Sequence, residues 1–108
     1  MFKDEKTDGE TLLLASPDVI CRANLEGAAD IMEQRGHCQG RFEDEGGRIC
    51  TANAVALACG CHPHMVFYSP EGQALTKFLR CGDICAWNNE PGRTKQEVVD
   101  ALRGAARA

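Results

Sequence analysis

SPDVICRANLEGAADIMEQRG, residues 16–36, is the stretch that decides the fold class. Ser16 offers a hydroxyl cap, Pro17 suits the first helical position, and Asp18 places an acid in the first turn. Ile20, Cys21, Leu25, Ala28, Ile31 and Met32 then recur on one stripe at helical period, with Arg22, Glu26, Asp30 and Glu33 opposite. The segment reads as an amphipathic helix from Pro17 to Arg35, stopped by Gly36.

The same signals recur further along. Thr51 is placed to cap a short helix over Ala52 to Cys59, apolar on nearly every face except Asn53, which predicts a position inside a bundle. Ser69-Pro70-Glu71 repeats the cap, proline and acid, and Ala74, Leu75, Phe78 and Leu79 form a two-turn face closed by Cys81-Gly82. Thr94-x-x-Glu97 is a capping box ahead of Val98, Val99, Leu102 and Ala105, behind a Pro91-Gly92 turn. Residues Gly40 to Arg48 are crowded with glycine and acidic turn formers and read as a solvated loop. The expectation is an all-α, single-domain bundle of three to four helices with irregular connections, spanning residues 11–108 behind a polar lead-in at 1–10. Two apolar runs leave room for one short strand pair, Leu12–Leu14 against Met65–Tyr68.

With 108 residues, 44% hydrophobic and 26% charged, the chain has the mix of one globular domain. A net charge of −4 argues against a grip on nucleic acid or an anionic membrane. Arg93, Lys95, Arg103 and Arg107 do gather near the end, where a last helix favours cations. The N-terminal MFKDEKTDGE lacks the apolar centre of a secretion signal and no run spans a bilayer, so a cytoplasmic location is expected. Seven cysteines, an odd number without framework spacing, are then expected as thiols rather than disulfides.

Three constellations carry chemistry. Cys59, Cys61, His62 and His64 lie within six residues, with Cys81 and Cys85 beyond, a set of zinc-type ligands although neither pair has the usual Cys-x-x-Cys spacing. Gln39, Cys50, His64 and Asn88 occur in the chain order of a papain-like hydrolase, and Cys50 precedes a helix whose dipole would activate it. The scarcity of strand-forming sequence argues against that reading. The third is the Trp87–Thr94 segment. It reads as a folded connector with Trp87 as core anchor, or as a recognition surface built on Trp87, Asn88 and Arg93.

Ala28-Ala29-x-Ile31-Met32-x5-His37-Cys38-Gln39-Gly40, with Cys50 opening an alanine-rich helix, resembles a small actinobacterial and actinobacteriophage family of unknown function. That family carries Gly-Trp-Cys-Gln-Gly in the first stretch and Trp-Asn-Asp-x-Pro-Gly-Arg-Thr-x-x-Glu-Val near its end. Trp87, Asn88, Pro91, Gly92, Arg93, Thr94, Glu97 and Val98 match the latter. The likeness covers roughly residues 18–106. His37 replaces the family's tryptophan, Asn89 its aspartate, and the Cys59–His64 cluster has no counterpart. The resemblance implies a helical fold, a phage or actinobacterial origin, and no activity. By subtraction, the chain is expected to be a non-enzymatic, phage-encoded interaction protein acting on a host protein, without cofactor. A homodimer, a zinc-binding module and a thiol hydrolase on Cys50 and His64 are the alternatives.

Overall fold

The structure, a computed structural model, describes residues 16–108. Its first helix, α1 (Pro17–Arg35), begins as its sequence dictates: the Ser16 hydroxyl accepts the Val19 N–H at 3.2 Å. Gly36, at φ +88°, ends it and donates its N–H to the Met32 carbonyl. Cys21, Leu25, Ala28, Ala29 and Met32 form the buried face. Ile20 is half exposed, because the stripe meets the core only from Cys21 onward.

Two helices cover that face. Helix α2 (Thr51–Cys59) packs on one side, and the last helix, Lys95–Arg107, on the other. The last helix carries the capping box in full: Thr94 Oγ1 accepts the Glu97 N–H at 3.1 Å, and Glu97 Oε1 accepts the Thr94 N–H at 2.9 Å. Val98, Val99, Ala101, Leu102, Ala105 and Ala106 are buried against the centre. At its edge Arg103 holds three acids of α1 at once, Glu26 and Asp30 at 3.0 Å and Glu33 at 3.1 Å, while Arg107 takes Glu26 at 2.8 Å. Hydrogen bonds from Arg107 and Arg103 hold the Glu26 carboxyl below its ordinary value. A group depressed in the folded state stabilises the fold above its unfolded pKa and loses that contribution as pH falls through the folded one. Arg103→Ala is therefore expected to lower the melting temperature at neutral pH, by less in high salt, and to flatten the loss of stability on acidification. Melting curves between neutral and acid pH check this.

Three expectations change. The cap of α2 is Cys50, whose sulfur accepts the Asn53 N–H at 3.4 Å; Thr51 lies inside the helix, buried, with its hydroxyl free for another use. The helix is buried through Ala56, but Leu57 is 46% exposed, so its last turn has a face open to solvent. Residues 40–48 are not an open loop. Asp44 takes the Gly46 and Arg48 N–H groups on Oδ1, Cys50 N–H donates to the Phe42 carbonyl, and Cys38 and Ile49 pair their backbones, so the loop is a folded turn with Ile49 sealed at its base.

The strand pair is also corrected. Met65–Tyr68 belongs to a 3-10 helix (Pro63–Tyr68), which puts Val66 inside and leaves Met65 and Tyr68 outside. Its would-be partner Leu12–Leu14, like the 1–10 lead-in, lies outside the described residues. Among the described residues the only β-bridges are isolated, His37 and Glu43 each with Ile49. Helix α3 (Pro70–Leu79) follows, capped by Ser69 and ended one residue earlier than expected by Arg80 in the left-handed region. A short α4 (Ile84–Asn88), capped by Asp83, then leads to the last helix, α5. The described residues thus hold five α-helices and one 3-10 helix, more than the three to four expected, the additions being elements of five and six residues, too short to show a period. No helix among them is long and apolar enough to cross a membrane.

Candidate functional site

Asn88 joins two segments some fifty residues apart. It is 1% exposed, at the end of α4. Its Oδ1 accepts three hydrogen bonds, from the Thr51 N–H at 2.9 Å, the Thr51 hydroxyl at 2.6 Å and His37 Nε2 at 2.8 Å. Its Nδ2 donates to the Cys38 carbonyl at 3.1 Å and to Asn89 Oδ1 at 2.9 Å. A carbonyl only accepts, so the Cys38 bond fixes which amide atom is nitrogen, and His37 must carry its proton on Nε2. Around this centre Gln39 Nε2 donates to the Asn88 and Glu90 carbonyls, and the Gly40 N–H donates to Asn89 Oδ1. The His37–Gly40 and Trp87–Glu90 segments are thereby laced into one wall. Among the described residues no buried side-chain polar atom lacks a partner.

A cleft of about 390 Å³ opens beside this wall. Phe42, Cys50 and Cys85 give it an apolar floor, Asn88 and Asn89 a polar side, and Arg41 stands at its edge. Arg41 also borders a second, polar cleft of about 450 Å³ with His37, Gln39, Asp44, Arg48 and Arg93. There Arg93 lies 3.9 Å over the Trp87 ring, donates Nε to the Trp87 carbonyl at 2.9 Å and pairs with Glu90 at 2.9 Å. Trp87 is half-buried under it.

The structure separates the residues proposed from sequence. Of the recognition trio, Asn88 is withdrawn from the surface, because every polar atom of its amide is used internally. Arg93 retains 13% side-chain exposure and serves the connector. Of the zinc set, His62 and His64 stack on each other at 4.9 Å beside Phe42, Cys59 neighbours the buried Glu71 carboxylate, and Cys85 lines the apolar cleft. Cys81 follows the end of α3. Among the described residues no three His, Cys, Asp or Glu side chains are grouped to hold a metal. Of the hydrolase set, Gln39 and Asn88 do meet, and Cys50 lines the apolar cleft with Asn88; Gln39 borders the other cleft, and His64 is exposed and on neither.

All seven cysteines are free thiols. Burial pushes the Cys50, Cys38 and Cys85 thiols up, and burial with the neighbouring Glu71 carboxylate pushes Cys59 up to about 12. At Cys50 burial outweighs the Asn53 N–H at the helix start that hydrogen-bonds it. The thiolate is the reactive form, so iodoacetamide at neutral pH is expected to label Cys50 more slowly than the half-buried Cys61 and Cys81. Peptide mapping by mass spectrometry reads the order, and fast, selective labelling of Cys50 would restore the nucleophile.

Arg41 and Phe42 were not singled out by sequence, since they sit in a stretch whose composition signals only turns. Cys85 was singled out, but for a metal. A family model, of a family of unknown function (DUF6197), matches residues 17–108. No curated protein and no solved structure matches the chain.

Proposed function

The chain belongs to this family of unknown function, and we propose that it is a non-enzymatic binding protein that seats an apolar side chain of another protein in the cleft beside Asn88. One observation carries the reading: a cleft with an apolar floor of Phe42, Cys50 and Cys85 is bordered by a polar wall whose atoms are locked by hydrogen bonds before any ligand arrives. Preformed concave sites with few, fixed polar groups are built to bind, because little ordering is left to oppose association. Seating one large apolar side chain there contributes about 1.5–3 kcal/mol. The raised thiol of Cys50 and the placement of His64 outside the cleft favour binding over nucleophilic chemistry. On a phage origin, which only the sequence resemblance implies, the partner is a host protein.

The test uses toluene and benzyl alcohol as minimal apolar probes. Each is expected to raise the melting temperature with concentration, as ligands of the folded state do, and Cys85→Phe, which fills the cleft, is expected to abolish the rise. No rise with either probe in the parent protein would overturn the reading. So would a self-associated protein whose dimer survives Cys85→Phe, which would move the interaction to the exposed Met65, Phe67 and Tyr68.

A further inference from the structure

We infer that the occupant is the C-terminal residue of a partner chain, with its apolar side chain in the cleft and its free α-carboxylate on the guanidinium of Arg41. The inference rests on the reading of the cleft as a binding site and names what that site selects.

Arg41 is the hinge of the case, because it borders both clefts, the apolar one and the one rich in N–H donors. The cations of the second cleft differ in how far their charge is already answered. Arg48 is paired to Asp44 at 2.6 Å. Asp44 in turn is fully engaged by its own turn, accepting from the Gly46 and Arg48 N–H groups and from Arg48 Nε. Arg93 is held by Glu90 at 2.9 Å, stands 3.8 Å from Glu97, and is stacked on Trp87. Arg41 makes no side-chain hydrogen bond or ion pair among the described residues, although the chain as a whole is acidic at −4.

The complementary ligand therefore has an apolar body and an adjoining anionic end. A chain terminus has both. An internal side chain brings neutral peptide groups that leave Arg41 unanswered. A bare inorganic anion leaves the Phe42–Cys50–Cys85 floor empty. A guanidinium takes a carboxylate through two parallel N–H bonds, which fixes orientation as well as affinity. The cleft, about 390 Å³, is at the small end of ligand sites and suits one large side chain with its backbone.

Trp87, the only tryptophan, adjoins Asn88 under Arg93 and reports binding by its fluorescence. The probes are the peptide acetyl-GSGSF as free acid, the same peptide amidated, N-acetylphenylalanine, inorganic phosphate and toluene. The acid peptide is expected to bind, to lose about tenfold in affinity on amidation, and to weaken with salt. Arg41→Met, which keeps the stem and removes the charge, is expected to bring the acid down to the level of the amide; Arg41→Lys is expected to recover part of the difference. Because Arg41 is exposed and has no side-chain partner among the described residues, these variants are expected to melt with the parent. Acid and amide binding alike, with toluene competing, would overturn the carboxylate and leave the cleft standing. Failure of every probe, toluene included, would remove both. N-acetylphenylalanine binding as tightly as the peptide would assign the site to a free small carboxylate and overturn the chain end. Phosphate competing as well as the acid would overturn the carboxylate in favour of a general anion site.

Discussion

Asn88→Ala is expected to lower the free energy of unfolding by about 3–4 kcal/mol, a large share of the whole for a domain this size. The amide is 1% exposed and makes five hydrogen bonds. Truncation removes those bonds and leaves the Thr51 N–H and hydroxyl, His37 Nε2 and the Cys38 carbonyl without their partner. An orphaned buried polar group carries its full desolvation cost, about 1–3 kcal/mol each before water enters to relieve it. Relief is expected here, since the cleft opens beside the site, and that holds the total below the simple sum. Urea denaturation measures the loss, and amide exchange locates it: protection is expected to fall first at Thr51 and Cys38. Asn89→Ala is the control, an exposed side chain on the same wall, expected to cost about 1 kcal/mol. A loss at Asn88 no greater than at Asn89 would mean that the two segments are held together by packing, not by the amide.

The second large effect has a sign opposite to what local propensity dictates. Gly72 lies in the first turns of α3, and in a helix alanine is favoured over glycine by about 1 kcal/mol. Yet a Cβ at Gly72 would collide with the Val66 carbonyl oxygen, and would stand 2.8 Å from the Val66 carbonyl carbon and 3.1 Å from its Cγ1. The first two are backbone atoms of the 3-10 helix and have no rotamer to escape into. Overpacking against backbone costs about 1–3 kcal/mol or somewhat more, so the net expectation for Gly72→Ala is destabilisation of about 2 kcal/mol. Thermal unfolding decides it, and a more stable variant would show that the 3-10 helix can slide away from α3. The same close approach recurs at Gly104, where a Cβ would meet the ring of Phe78. That neighbour is a side chain 43% exposed and free to turn, so Gly104→Ala is expected to be milder.

What could be read from the order of residues was whatever is written locally. Ser16-Pro17-Asp18, Ser69-Pro70-Glu71 and Thr94-x-x-Glu97 each mark a helix start, because a cap acts on N–H groups two or three residues away. The all-α class followed, as did the core faces of α1 and α5, since a helical period is visible over a few turns. Where an element was only five or six residues long, no period existed to read: Met65–Tyr68 has the composition of a strand and folds within a 3-10 helix, and of the short helix Ile84–Asn88 only Trp87 and Asn88 were legible, as the start of a connector. The cap of α2 was misplaced by one residue because Cys50 and Thr51 both accept hydrogen bonds. Only a distant acceptor, Asn88 Oδ1, gives the threonine hydroxyl a different task.

The site belongs wholly to the tertiary structure. His37, Cys38, Gln39 and Gly40 on one side, and Trp87, Asn88 and Asn89 on the other, could be picked out of the chain as two unusual segments. Nothing local says that an asparagine in one satisfies a threonine, a histidine and a backbone carbonyl in the other. A buried amide must find partners wherever packing brings them, and that requirement carries no sequence spacing. The stretch over residues 16–36, with its caps and stripe, determined that this protein is helical and where its longest helix runs. Only the packing of α1, α2 and α5 decided that Gly36 would release the chain toward Asn88. The resulting wall brings Phe42, Cys50 and Cys85 into one cleft with Arg41 beside them, because side-chain contacts across the fold are set by three-dimensional proximity and not by order along the chain.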